Sequence, residues 1–162
     1  MVVRLAAIIV LCIGFVGTSA SSQTDISLRG LAADPTAAVE ITADALTVNQ
    51  GSRSAVFAGN VVIGQGELRI AAGRVEVIYS DETGDIARLD ASGGVTFATE
   101  TEAAEATGAV YDLTSGILTL NGDVLLTQGA SALSADRMVV NLNDGTAQMD
   151  GRVRTVFGQT GE

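Results

Sequence analysis

Residues 59–77 read GNVVIGQGELRIAAGRVEV, and residues 122–140, GDVLLTQGASALSADRMVV, align with them without a gap. The two copies share Gly59/Gly122, Val61/Val124, Gln65/Gln128, Gly66/Gly129, Ala72/Ala135, Arg74/Arg137 and Val77/Val140. Gly-x-Val recurs at 93–95 and 151–153, so that successive copies begin 34, 29 and 29 residues apart. Self-similarity at this period indicates a repeated supersecondary unit whose neighbours share one continuous core.

Apolar and polar residues alternate from Val39 onward, which is typical of strands with one apolar face. Clusters such as Asn49-Gln50-Gly51 and Asn143-Asp144-Gly145 supply the backbone conformations that hairpins need. The pattern predicts roughly a dozen short strands joined into an antiparallel meander. Residues 100–106 (ETEAAEA) are the exception and are predicted to form either a helical turn or a polar loop.

The alternation changes parity at a recurring step. The apolar stripe of Ile41 and Ala43 resumes out of phase at Leu46, and the same offset follows Ala72-Gly73 and Ala135-Asp136. A bulge or corner at each step would let both halves of the strand face one interior. We expect these corners to stack across the sheet.

The chain begins with a predicted secretory signal peptide, residues 1–20. Arg4 precedes an apolar run over 5–16, and small residues at 18–20 suit cleavage after Ala20 or after Ser22. A retained anchor is the alternative, but the run is shorter than the roughly 20 residues of a spanning helix. We therefore predict a periplasmic protein with a flexible segment at 21–38, a β-domain at 39–158 and a tail at 159–162.

Composition excludes several classes of function. The net charge is −10, and it becomes −11 once residues 1–20 with their single arginine are removed. The chain has no lysine and its arginines are scattered, so it lacks the basic surface that nucleic acids require. Its one cysteine, Cys12, lies in the predicted leader, which leaves no disulfide framework.

No catalytic residue, metal site or cofactor is predicted. The chain has no histidine, which excludes Ser-His-Asp and Cys-His systems and imidazole-based zinc sites. A catalytic pair of carboxylates, as in glycosidases, is formally possible, but the acidic residues fall in turns or on polar strand faces. Arg74 and Arg137 occupy equivalent repeat positions and are interpreted either as phosphate contacts or as solvent-facing residues.

A family resemblance follows from these residues. The stretch 55–66 (AVFAGNVVIGQG), followed by 68–77, resembles the core of the LptA/OstA family of periplasmic lipopolysaccharide-transport proteins. Residues 39–44 and 120–124 are similar to further family segments, so the resemblance covers about 38–157. Gly73 departs from the pattern, since the family commonly has aspartate there, as Asp44 and Asp136 do here.

The resemblance implies a slightly open, twisted antiparallel β-jelly roll, built from repeated strand-turn-strand units, with a lengthwise apolar groove. It implies a non-enzymatic carrier that passes lipopolysaccharide from an LptC-like inner-membrane component to an LptD-like outer-membrane component. Members of the family stack end to end, which implies a head-to-tail homo-oligomer. The resemblance also implies that the energy for transport comes from an ATPase elsewhere in the system.

The acidic charge suggests that acyl chains, rather than head groups, would provide affinity, at about 0.8 kcal/mol per buried methylene. An ordinary packed sandwich core would show the same periodicity. Tyr111 is included among the groove residues with its phenol at the mouth, although strict repeat parity places Val110 inward instead. The residues expected to line the groove are Val39, Ile41, Phe57, Val61, Ile63, Val95, Phe97, Tyr111, Leu113, Leu120, Val124 and Met149.

Two other functions compete with lipid transport. A non-catalytic, self-assembling β-repeat scaffold or adhesin would use exposed edge strands and polymerise without lipid. A carbohydrate-active enzyme on a β-solenoid would depend on acids such as Glu67 and Glu76. An LptC-like protein would retain its anchor, and an LptD-like protein would continue into a barrel.

Overall fold

Alternating residues and tight turns build an antiparallel sheet of eleven strands. A computed structural model describes residues 25–27, 34 and 36–158, and every regular element within them is a β-strand. The strands are β1 (Asp25–Ser27), β2 (Val39–Thr42), β3 (Ala45–Asn49), β4 (Ser54–Gln65), β5 (Leu68–Tyr79), β6 (Ile86–Ala98), β7 (Glu102–Asp112), β8 (Ile117–Gln128), β9 (Ser131–Asn141), β10 (Thr146–Asp150) and β11 (Arg154–Val156).

The strand order confirms the predicted antiparallel meander. It runs β1-β10-β9-β8-β7-β6-β5-β4-β2, with β3 also paired to β4 and β11 also paired to β9. Thus β2 and β3 are two parts of one interrupted strand, as are β10 and β11. The prediction of short strands was wrong for β4 to β9, which have 11 to 13 residues. They are long because each runs through a corner instead of ending there.

The predicted corners are present as register shifts. Pairing shifts between Ala58 and Val61 in β4, and equivalent shifts occur in β6 and β8. Gly59 and Asn60 adopt left-handed backbone, with φ of 78° and 46°, which places an extra residue in β4. In β5 the buried positions then change parity, from Ile70 on one side of the corner to Val75 on the other. Both halves of each strand therefore present their apolar residues to one interior.

Adjacent corners contact each other, which confirms the expected stacking. The Asp44 N–H donates to Gly59 O over 2.9 Å, and Asn60 Nδ2 donates to Asp44 Oδ2 over 2.7 Å. At the other end of the sheet the Asp136 N–H donates to Gly151 O over 2.9 Å. Arg152 forms an ion pair with the same aspartate, which lowers the pKa of Asp136 chiefly through their side-chain hydrogen bond.

The corner at Gly73, which lacks the aspartate, brings two backbones together. A Cβ added to Gly93 would lie 3.2 Å from the Gly73 Cα, and one added to Gly73 would lie 3.0 Å from the Gly93 carbonyl oxygen. At the Asp44 corner a carboxylate occupies the corresponding place over Gly59. The absence of a side chain at Gly73 thus allows the backbones of β5 and β6 to lie close together.

Gly93 and Gly94 give a matched test of this contact. Both have left-handed φ, 82° and 79°, but an added Cβ at Gly94 would meet nothing within 4 Å. We expect Gly94→Ala to lower the free energy of unfolding by about 1–2 kcal/mol through backbone strain alone. Gly93→Ala should lose about 1 kcal/mol more through crowding against β5. Urea denaturation of both variants measures the difference, and equal losses would contradict a close approach at Gly73.

The corners divide the sheet into two layers. Layer A contains β1, β3 and β10 with residues 54–58, 74–79, 86–92, 108–112, 117–121 and 137–141, and layer B contains β2 and β11 with residues 61–65, 68–72, 95–98, 102–106, 124–128 and 131–135. Buried apolar residues of both layers form one cluster. The layers therefore pack face to face, as in a jelly roll.

The prediction of a helical turn or polar loop at 100–106 was wrong for most of this segment. Glu102 begins β7, which pairs with β6 on one side and β8 on the other. Glu102, Ala104 and Ala106 are buried in alternation. The helical tendency of an Ala/Glu stretch is local and weak, and pairing on both sides overrides it.

The predicted terminal segments lie partly outside the described residues. The signal peptide at 1–20 and the tail at 159–162 are both outside them. Within the segment 21–38, expected to be flexible, Asp25–Ser27 instead pair with β10 as a short edge strand. In the described part of the chain, no helix is long and apolar enough to cross a membrane.

Candidate functional site

The space between the two layers is filled by aliphatic side chains. Every residue expected to line the groove lies in or against this interior. Val61, Ile63, Val95, Phe97, Tyr111, Leu120, Val124 and Met149 are buried, and Val39, Ile41, Phe57 and Leu113 are partly buried and pack against them. Their role in binding lipid stays a prediction, because close packing is also what an ordinary core would show.

The apolar inner face continues to an uncovered sheet edge at β3. Leu46 pairs with Phe57 and Val48 with Ala55, and both partners face the interior. Leu46 and Val48 are nevertheless 54% and 65% exposed, because none of the described strands lies beyond β3. The lining of the interior is thus open to solvent along this edge.

A second uncovered stretch lies at β11. Thr155 pairs with Leu133, which is buried in the interior. Val153 and Phe157, two residues before and after Thr155, are 48% and 78% exposed. Each end of the meander therefore carries exposed apolar side chains of a size normally buried.

A cavity of about 370 Å³ lies beside β3, where the interior between the layers opens to solvent. We call this opening the mouth. Its lining includes Val48, Ser54 and Tyr79. Arg53 and Asp81 form an ion pair at this rim, 2.8 Å between Nη1 and Oδ1, with both side chains largely in water. The cavity therefore joins an apolar wall to a charged, solvated rim.

The interior also holds polar side chains that the sequence did not identify. Gln65 and Glu102 are each 4% exposed. Glu102 accepts hydrogen bonds from Gln128 Nε2 over 3.0 Å and from the Thr99 hydroxyl over 2.9 Å. The recurrence of Gln-Gly at 65–66 and 128–129 could have indicated these inward polar side chains, since both glutamines turn inward at equivalent hairpins.

Tyr111 lies deeper than expected. The corner between Glu105 and Gly108 resets the alternation, so Ala109 and Tyr111 face inward and strict repeat parity fails. The phenol does not reach the mouth; it is buried and donates to Gln65 Oε1 over 2.9 Å. Val110, which strict repeat parity would place inward, is only partly buried.

Burial raises the pKa of the Tyr111 phenol. Up to about pH 10 the residue is neutral in both the folded and the unfolded chain; above that the unfolded form ionises first. We therefore expect the free energy of unfolding to fall as pH rises from about 10 through the folded-state pKa. Tyr111→Phe should remove this part of the slope, measured by urea denaturation between pH 9 and 12. An unchanged slope would contradict the prediction. Because the chain has no lysine, no side-chain ammonium group titrates in the same pH range.

The two arginines at equivalent repeat positions lie on the outer surface. Arg74 and Arg137 are exposed and follow the corners of β5 and β9. Among the described residues no cluster of His, Cys, Asp or Glu is arranged to hold a metal ion. The charged side chains of Arg74 and Arg137 therefore lie on the opposite face of the sheet from the apolar interior.

These features define a class of protein, an open jelly-roll-like β-protein folded around an apolar interior. Among solved structures, the fold is similar to LptH, the LptA-homologous periplasmic component of the lipopolysaccharide transport device from Pseudomonas aeruginosa. The TM-score is 0.70 at 14% identity, covering 78% of this chain and 99% of that one.

A family profile described as "LptA/(LptD N-terminal domain) LPS transport protein" matches residues 40–146. The chain belongs to this family. It is also 28% identical, over 145 residues, to an uncharacterized protein of Rhizobium meliloti (strain 1021), covering 83% of this chain and 78% of that protein.

Proposed function

We propose that this chain is a periplasmic lipopolysaccharide-binding transport protein that holds the acyl chains of lipid A between layers A and B. One observation carries the proposal: the apolar inner face extends without interruption from the core to Leu46 and Val48, which are uncovered. An ordinary sandwich core would end in polar residues at its edges. Family membership supplies the lipid class.

The charge of the protein fits binding through acyl chains. A chain with net charge −10 repels the phosphorylated sugars of an anionic glycolipid, but that repulsion is screened over about 8 Å at physiological salt. Each methylene removed from water contributes about 0.8 kcal/mol, so partial burial of several chains outweighs the repulsion. The sugars remain in water beside the rim that carries Arg53 and Asp81.

Lipid entry requires the layers to separate. Interior residues such as Val61 and Leu120 are 1% and 0% exposed, so they leave no preformed channel between them. The strand order is open, with β1 and β2 at opposite ends and no pairing between them among the described strands. Movement about the row of glycine-rich corners would widen the interior without breaking strand pairs.

We propose that the protein acts in a bridge between an LptC-like inner-membrane component and an LptD-like outer-membrane component. Among the described strands, β3 at one end of the meander and β11 at the other each pair on one side only, so their outer edges offer backbone for strand addition. Exposed Leu46 and Phe157 accompany these edges. The same pairing between copies would give a head-to-tail homo-oligomer whose interiors are continuous.

Binding of acylated and deacylated lipopolysaccharide tests the proposed function. The protein, purified from the periplasm, is mixed with either form and separated by size-exclusion chromatography. We expect intact lipopolysaccharide to co-elute with the protein and the deacylated form to elute alone. Equal co-elution of both would place the affinity in the sugars and contradict binding between the layers.

The free edge strands also favour a second candidate, the self-assembling scaffold. β3 presents five residues of unpaired edge, which is a common site of strand addition. In that case the protein would polymerise with no bound lipid, and neither form of lipopolysaccharide would co-elute.

A further inference from the structure

A buried hydrogen bond ties the two layers together at the side opposite the corners. Tyr111 lies one residue before the end of β7 in layer A, and Gln65 is the last residue of β4 in layer B. The phenol donates to Gln65 Oε1 over 2.9 Å, and each residue is 4% exposed. Gln65 Nε2 donates to Ala37 O over 3.3 Å. We call this group of three residues the clasp.

Because of its position, the clasp must break before layers A and B can separate. The layers are joined covalently at the corners, so they can move apart only at the opposite side, where Tyr111 and Gln65 meet. The bond connects residues 46 positions apart in sequence. The clasp also fixes the segment before β2, through Ala37, at the edge of layer B.

We propose that the clasp determines lipid specificity: an entering lipid must break the Tyr111–Gln65 bond and replace it with its own hydrogen-bonding groups. The inference rests on the proposed function, since it requires lipid to enter between the layers. The matching ligand is an amphiphile with amide, ester or hydroxyl groups where its acyl chains join its head group. A plain hydrocarbon has none.

The energetics of buried polar groups supply the selectivity. In the closed state no buried side-chain nitrogen or oxygen among the described residues lacks a partner. Opening by a hydrocarbon leaves the phenol and the amide unpaired in an apolar space, which weakens binding by about tenfold or more. A ligand that supplies a donor and an acceptor at this depth avoids most of that loss.

The equivalent glutamine of the other repeat shows that the clasp is not a general feature of the hairpin. Gln128 bonds to Glu102 on the neighbouring strand, within layer B. Only Gln65, of the two, reaches across to layer A. The bond is therefore specific to the place where β4 faces β7.

The test compares the double variant Tyr111→Phe/Gln65→Leu with wild type, using two ligands. Replacing both side chains by apolar groups of similar shape is nearly neutral for folding. The variant also removes the Gln65 donor to Ala37 O, but Ala37 is only partly buried, and thermal unfolding by circular dichroism checks the fold. The fluorescent hydrocarbon diphenylhexatriene serves as the probe without hydrogen-bonding groups, and lipopolysaccharide competes with it. Thr127→Val is the matched control, because it removes a hydroxyl that donates to Ala103 O on the exposed outer face of layer B, outside the clasp and outside the interior.

We expect the double variant to bind the diphenylhexatriene probe about tenfold more tightly and lipopolysaccharide within about threefold of wild type. Its preference for lipopolysaccharide should therefore fall, while Thr127→Val keeps the wild-type ratio. The same ratio in all three folded proteins would overturn the clasp but leave lipid transport standing. Failure of wild type to bind lipopolysaccharide at all would instead overturn the proposed function.

Discussion

We expect Phe97→Ala to lower the free energy of unfolding by about 3–5 kcal/mol. Phe97 is 0% exposed and lies on the inner face of β6, paired with Ile70 on one side and Ala104 on the other. Because strand pairing holds Ile70 and Ala104 in place, they cannot fill the space, and the substitution leaves a cavity between the layers. Few other single changes in this aromatic-poor core remove as much packing.

Thr96→Ala is the control for this prediction. Thr96 is the preceding residue of β6 and is exposed on the outer face, so its loss should change stability by about 0.5 kcal/mol or less. Chemical denaturation of both variants measures the contrast. Equal effects would contradict the assignment of inner and outer faces. A charge at Phe97 would test folding rather than lipid binding, because the site is closed to water.

Ile41→Asp is expected to weaken lipopolysaccharide capture about fiftyfold or more. Ile41 lies in β2, pairs with the buried Ile63 and is itself only partly buried. A carboxylate there can reach water in the lipid-free protein, so we expect a stability loss of only about 1 kcal/mol. With acyl chains bound, the same carboxylate would face hydrocarbon, where its charge is strongly unfavourable.

Thr42→Asp separates this effect from charge repulsion. Thr42 is the next residue of β2 and is exposed on the outer face, so the variant adds the same charge at almost the same place. Capture of fluorescent lipopolysaccharide should fall for Ile41→Asp and stay close to wild type for Thr42→Asp. Equal losses would show that net charge alone controls binding and would contradict an interior site.

The parts of the fold that depend on local pattern could be predicted from the sequence. Alternation assigns a strand residue such as Val61 to a face without knowledge of its partner. The corners could be predicted because the apolar stripe changes parity after Ala43-Asp44, Ala72-Gly73 and Ala135-Asp136. The helical or loop assignment of 100–106 failed because it used local propensity alone, whereas Glu102–Asp112 is a central strand with partners on both sides.

The clasp could not be predicted from the sequence, since it depends on which strands face each other. Tyr111 and Gln65 belong to different hairpins, and their contact follows from the fold of the whole sheet about its corners. The pairing of Asp25–Ser27 with β10 is of the same kind. Both join segments that are far apart along the chain.

Site-specific photocrosslinking to lipopolysaccharide tests the central claim most directly. A benzophenone amino acid would be placed at the partly buried inner-face residues Ile41 and Phe57, with outer-face controls at Thr42 and Glu76. We predict lipopolysaccharide adducts at the two inner-face positions and none at the controls. Adducts at the controls alone, or at no position in a folded protein, would contradict an acyl-chain site between the layers.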